Sequence, residues 1–303
     1  MKKIHSLSEI IDQYDGFIID LWGVMHDGTA LYPTAKAALK AIHEAGKEVV
    51  FLSNAPRQAK KAAHGLDNFG VPRDQYKKVI TSGQVAHDTL RALAQEREKK
   101  GSQQATRSPK GEAPRCALAS LASAQKYYYL GPSKDEDVIA DLDYQKVALE
   151  EADFVLCAGF EVDFQPLDEI RPTLEKIAAR NIPVLCINPD LEVVKQDGTH
   201  MYCAGWVAAE LEKLGVQLIY FGKPHADVYD VARKVLGSKN PLAIGDNLLT
   251  DIKGANAQAI DSLLITGGVI YTINKGHPSH EQLQKLGEEA GASPSYYSEL
   301  FSC

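Results

Sequence analysis

The stretch Phe17-Ile18-Ile19-Asp20-Leu21-Trp22-Gly23-Val24 constrains this chain more than any other. An apolar run of strand character stops at a carboxylate, and a glycine-containing turn follows. In open α/β sheets, ligands bind in the crevice beyond the carboxyl ends of the strands, and a side chain placed there is held by a buried strand. On its own, Asp20 has two readings. It caps the turn that follows, or it is a rigidly held nucleophile or metal ligand, a role in which small displacements cost large factors in rate. The rest of the chain decides between them.

Ser6 to Glu9 has the form of a capping box that opens a short helix. Beyond Asp20, Pro33 opens a helix with apolar residues at helical spacing, and Gly46 ends it. A second buried strand spans Glu48 to Asn54, a helix follows Pro56, and a third strand begins at Lys78. Strands alternating with helices over short connections predict a parallel sheet. After Ser82 the character changes. A helix from about Gln84 runs into a segment, 97–115, rich in Gly, Pro, Ser and charge, which reads as a solvated loop. Strands resume at Tyr127–Leu130, Phe154–Cys157 and Pro183–Ile187, with a helix over 166–180. The three consecutive tyrosines fit a half-buried strand. This region reads as a second α/β unit inserted into the first. The original pattern then returns, with strands at Leu218–Phe221, Pro241–Ile244 and Ser262–Thr266, and a tail of one helix and an irregular end. The expected division is a core of residues 1–83 and 204–303 with an insert of 84–203.

Bulk properties narrow the partners. A net charge of −7 argues against nucleic acid, whose phosphates want a basic surface. No stretch approaches the roughly 20 apolar residues of a membrane span. The five cysteines form no CxxC pair, and two lie inside apolar strand-like runs, the pattern of reduced, mostly buried thiols in a cytoplasmic protein.

Four strand ends or turns carry polar groups: Asp20, Ser53-Asn54, Lys223, and Gly245-Asp246 with Asp251 beyond. Each has an ordinary explanation as a helix cap or a surface residue. Together they are chemically complete. Asp20, Asp246 and Asp251 offer the hard oxygen atoms that Mg²⁺ favours. Ser53 and the N–H groups after it suit a phosphate at a helix N-terminus, and Lys223 adds a point charge. A carboxylate nucleophile, a cation and a magnesium ion suffice for phosphoryl transfer through an aspartyl-phosphate.

This ordered set resembles the haloacid dehalogenase superfamily, and its class IIA branch of sugar-, glycerol- and pyridoxal-phosphate phosphatases. The resemblance implies an α/β fold: a Rossmann-like parallel-sheet core with an inserted α/β cap. Asp20-Leu-Trp-Gly-Val looks like the first motif, which makes Asp20 the nucleophile; Leu52-Ser53-Asn54 is similar to the second, with Ser53 on phosphate. Gly222-Lys223-Pro224 resembles the third, and Gly245-Asp246 to Asp251 the fourth, with Asp246 on magnesium and Asp251 in support. Asn188-Pro189-Asp190 matches a signature near the end of the cap, which adds Asp190 and Asn54 to the expected substrate contacts. Arg57 is expected either to face the leaving group or to be a surface arginine. The run from Trp22 to Gly28 is most similar to a bacterial subgroup of the branch. The implied partner is a small phosphorylated metabolite, and cap-mediated homodimers are common among these relatives.

One position departs from the pattern. The phosphatases carry a second Asp two residues after the nucleophile, where this chain has Trp22. In the family that Asp protonates the leaving group and later helps to activate water, while its backbone carbonyl contacts the metal. Trp22 keeps the carbonyl and removes an acid/base contribution of about 10²–10⁴ in rate. His26 and Asp27 are the nearest candidate substitutes. The expected activity is a weak or unusual phosphatase; the alternative is a catalytically reduced protein of the same fold that binds a phospho-metabolite.

Overall fold

The structure, a computed structural model, describes residues 1–102, 118, 121–162, 166–194 and 198–303. A seven-stranded, fully parallel sheet runs in the order Lys2–Lys3, Tyr296–Ser298, Asp261–Ile265, Pro241–Gly245, Gly16–Ile19, Glu48–Ser53, Lys78–Thr81. The strand leading to Asp20 lies inside it, between the strands that lead to Asp246 and Ser53. Its side chains alternate as a two-faced buried strand requires. Phe17 and Ile19 pack with Leu39, Ile42 and Phe51 on one face, and Ile18 packs with Tyr229, Ala232 and Leu236 on the other. Burying each of these large side chains contributes about 1.5–3 kcal/mol.

A second parallel sheet holds Leu218–Tyr220, Val184–Cys186, Phe154–Cys157, Lys126–Leu130 and Gln145–Lys146, in that order. Tyr127 and Tyr129 are buried on one face with Ala86 and Leu90 of the long helix Ser82–Ser102. Val155, Cys157 and Cys186 pack on the other face with Ile170, Leu174 and Val207.

The expected boundary at 204 is corrected here. Leu218–Tyr220 pairs with Val184–Cys186, Phe221 N–H donates to Cys186 O, and the helix Ala204–Lys213 packs on the second sheet. The inserted unit therefore runs to about residue 221. A short apolar strand carries no mark of which sheet it joins, so periodicity alone misplaced it.

Three further differences matter less. The opening capping box on Ser6 is present but starts a pair of 3₁₀ turns. The tail supplies the strand Tyr296–Ser298 as well as a helix. The helix expected to stop near 96 continues to Ser102, and Arg97 donates to the Ala124 and Asp143 carbonyls. Residues 103–115 of the polar segment, and Cys116, lie outside the described residues. Cys157, Cys186 and Cys203 are buried, and Cys303 is exposed. Among the described residues no helix is long and apolar enough to cross a membrane.

An antiparallel hairpin, Glu192–Val194 with His200–Tyr202, projects from the inserted unit over the carboxyl ends of the large sheet. Trp22 Nε1–H donates to Val194 O at 2.9 Å and ties the hairpin to the turn after Asp20.

Candidate active site

Strand register brings the site together. Ile19 pairs with both Phe51 and Ile244, so Asp20, Ser53 and Asp246 emerge one or two residues later on the same edge. Asp20 N–H still donates to Ile244 O, which fixes the start of the turn. A π-helical turn over Leu248–Ile252 swings Asp251 back towards Asp20, and such turns are frequent at functional sites. Lys223 comes from the segment returning from the second sheet. Its ammonium lies 2.6 Å from Asp20 Oδ1 and 2.5 Å from Asp251 Oδ1, with all three groups buried.

Two glycines make these approaches sterically feasible. Gly23 has φ +80°, and a Cβ there would fall 2.0 Å from Asp246 Oδ2. At Gly222, φ +121°, a Cβ would fall 2.5 Å from Asn54 Oδ1. Both positions combine a left-handed backbone with no room for a side chain.

Charge is crowded at the site. Carboxylate oxygen atoms of Asp20, Asp246 and Asp251 lie within 4.8 Å of one another. Burial, then the neighbouring Asp251, pushes the Asp246 carboxyl up to about 7. Burial also holds Asp20 well above the usual carboxylate range, against the pull of Lys223. Burial works to lower the Lys223 pKa, but Asp20, Asp251 and Asp190 overcome it and raise it well above normal. Three buried carboxylates facing one ammonium leave an excess of negative charge and unshared oxygen atoms. That donor set fits a divalent cation, for which Asp20, Asp246 and Asp251 offer the oxygen atoms, and Trp22 borders the same cavity.

The other expected residues divide. Ser53 is buried beside Asp20 and lines the same cavity. Its hydroxyl accepts from Ala55 N–H, 3.3 Å away. Asn54 also lines the cavity, yet its amide is committed to the fold. It donates to Asp190 Oδ1 and Lys223 O, and accepts from Lys223 N–H at 2.7 Å. Asn54 is thus a positioning residue for Lys223 and Asp190. Asp190 lines the cavity too, with its carboxyl raised by burial.

Arg57 stands elsewhere. It is absent from the cavity wall and pairs with the buried Asp135 of the inserted unit, at 3.1 Å from both Nε and NH2. Of its two expected readings, facing the leaving group is the one the structure does not bear out. His26 and Asp27 are likewise committed. Asp27 Oδ1 accepts from Thr29 and Ala30 N–H, and His26 Nδ1 accepts from Gly28 N–H. Burial lowers the His26 pKa to about 4, and its ring packs against Phe69 and Trp22. Neither residue borders the cavity.

That cavity measures about 30 Å³. Asp20, Lys223 and Asp246 line it, as do Trp22 and the hairpin residues Glu192, Val193 and Val194. The hairpin residues were missed from the sequence, since two three-residue strands give no periodic signal.

Comparison with known proteins agrees with this geometry. Residues 17–145 match the haloacid dehalogenase-like hydrolase family, and residues 220–290 match the HAD-hydrolase-like family. The 5′-nucleotidase YutF of Bacillus subtilis is 24% identical over 267 residues, 84% of this chain and 88% of its own length. A haloacid dehalogenase-like hydrolase from Brucella suis 1330 superposes with a TM-score of 0.77 at 27% identity, covering 98% of this chain and 99% of that one. A glycerol phosphate phosphatase from Mycobacterium tuberculosis, solved with magnesium, superposes with a TM-score of 0.59 at 23% identity, covering 86% of this chain and 70% of that one. The two matched stretches fall on the strands that deliver Asp20, Ser53, Asp246 and Asp251, and the chain belongs to the haloacid dehalogenase-like hydrolases, in their class IIA branch.

Proposed function

We propose that the protein is a magnesium-dependent phosphatase of small phosphorylated metabolites, with Asp20 as nucleophile. The convergence of Asp20, Ser53, Lys223, Asp246 and Asp251 on one buried cavity carries this reading. In the first step an Asp20 carboxylate oxygen bonds to phosphorus as the bond from phosphorus to the ester oxygen breaks. Water then attacks the phosphorus of phospho-Asp20, restoring the carboxylate and releasing inorganic phosphate. Lys223 balances charge on Asp20 and on the phosphoryl oxygen atoms, and Ser53 offers them a hydroxyl. Bound at the carboxylates, the cation would supply Lewis-acid charge neutralisation. The supporting comparisons are a curated relative that is a 5′-nucleotidase and a phosphatase of like fold solved with magnesium.

Phosphate release from a panel of metabolite esters, with and without Mg²⁺, tests the reading. Binding of esters without any release would make the chain a binding protein instead.

The metal assignment has its own test. Magnesium at about a hundred times its dissociation constant should raise the melting temperature by about 5 °C. Asp246→Ala should abolish both that shift and any hydrolysis. An equal magnesium-induced shift in the variant would exclude Asp246 as a ligand.

A further inference from the structure

We propose that Thr250 is a phosphoryl-binding residue, whose hydroxyl donates to an oxygen atom of the phosphoryl group held at Asp20, alongside Ser53 and Lys223. The inference rests on the phosphatase reading above and adds a residue to its site.

Thr250 carries a hydroxyl that the fold leaves unused. Its Oγ1 is buried and has no hydrogen-bond partner among the described residues. The other two buried threonines among them are satisfied: Thr81 Oγ1 donates to Arg57 O at 2.5 Å, and Thr266 Oγ1 to Ser298 O at 3.3 Å. A helical threonine ordinarily returns its hydroxyl to the carbonyl three or four residues back, as Thr89 does to Val85 O at 2.8 Å. Thr250 lies in the π-helical turn, where the carbonyl three residues back, Asn247 O, already accepts from Asp251 and Ile252 N–H at 3.0 and 3.2 Å. A buried hydroxyl without a partner costs stability, and in a native fold such a group has a reason.

Its position supplies one. Thr250 borders the cavity that holds Asp20 and Lys223, and Ser53 and Thr250 are the two hydroxyl side chains on that wall. A phosphoryl group in transfer spreads its charge over three oxygen atoms, all of them acceptors. Few donors face them. Five of the lining side chains are carboxyl groups, and the Asn54 amide is spent on Asp190 Oδ1 and Lys223 O. The Lys223 ammonium is already shared between Asp20 and Asp251. A hydroxyl hydrogen with no claim inside the fold is therefore left for a phosphoryl oxygen. A purely structural hydroxyl would serve Asp190 instead. Burial raises that carboxyl, and Thr250 opposes the rise less than Lys223 and Asn54 do.

Thr250→Val keeps the shape and removes the hydroxyl, whereas Thr250→Ser keeps the hydroxyl. With Mg²⁺ present, Thr250→Val should weaken calorimetric binding of inorganic phosphate by about 10-fold and lower kcat/KM for phenyl phosphate by at least as much. Thr250→Ser should stay within about 3-fold of the unaltered protein in both. In melts with a chelator, Thr250→Val should match or exceed the unaltered protein, because an apolar group of the same shape leaves no buried hydroxyl unpaired. Phosphate binding that Thr250→Val leaves unchanged, or that the unaltered protein does not show, overturns the proposal. So does a metal-free melting temperature that falls by several degrees with Val and recovers with Ser, since the hydroxyl would then serve the fold through Asp190. Phosphate binding that responds to Thr250→Val in a protein that hydrolyses no ester defeats the phosphatase reading alone.

Discussion

Asp20→Asn is expected to lower kcat by at least about 10⁴-fold while raising the melting temperature of the metal-free protein. The loss follows from replacing the nucleophilic oxygen with an amide. The gain follows from burial, which holds the Asp20 carboxyl above its ordinary value. An acid whose folded-state pKa exceeds its unfolded value costs stability when ionised. That cost is absent below the unfolded pKa of about 3.9 and grows as the pH rises through the folded one. Asn keeps the shape and removes the charge, and Lys223 keeps Asp251 as its partner at 2.5 Å. Phosphate release and thermal melts in the presence of a chelator check both halves. Retained activity would mean that another group attacks phosphorus. A melting temperature lower by several degrees would mean that Asp20 stabilises the fold through Lys223.

Trp22→Asp should raise turnover of alkyl phosphates by about 10²-fold. On the proposed mechanism an indole at this position gives the leaving oxygen no proton, so aryl and acyl phosphates should outrun alkyl phosphates in the unaltered protein. The same proposal leaves water attack on phospho-Asp20 without a base, and a burst of leaving group should precede steady turnover. Trp22 borders the cavity together with Asp20 and Asp246. Its removal also breaks the Nε1–H bond to Val194 O and empties the space over Gly28, at a stability cost of about 2 kcal/mol. A folded variant with unchanged alkyl-phosphate rates would show that the proton comes from elsewhere. His26 and Asp27 are poorly placed to be that source, because His26 Nδ1 and Asp27 Oδ1 accept backbone N–H groups of the turn and neither residue borders the cavity.

Much of the site was readable because a strand that ends at a carboxylate announces itself locally. Asp20, Ser53 and Asp246 each come at the end of an apolar run, and register sets them side by side, while Asp251 arrives on the π-helical turn after Asp246. Arg57 carried no such signal. Its partner Asp135 is 78 positions away, and only folding shows that the guanidinium joins two units. Asn54 sits at the expected place, but a backbone staple to Lys223 cannot be foreseen from a Ser-Asn pair. The hairpin was hidden because Glu192–Val194 and His200–Tyr202 are short and of mixed character. Its importance depends on one hydrogen bond spanning 172 positions.

The seam between the two units gives the site a sensitivity to salt. Arg57 to Asp135, Lys61 to Asp137, Gln58 to Val138 O and Trp22 to Val194 O join the units beside the cavity at Asp20. All four contacts are polar, and two are ion pairs whose cations are more than a third exposed, at 36% for Arg57 and 37% for Lys61. Such pairs are worth about 1 kcal/mol or less and weaken as ionic strength rises. Salt is therefore expected to loosen the grip of one unit on the other before it touches either apolar core.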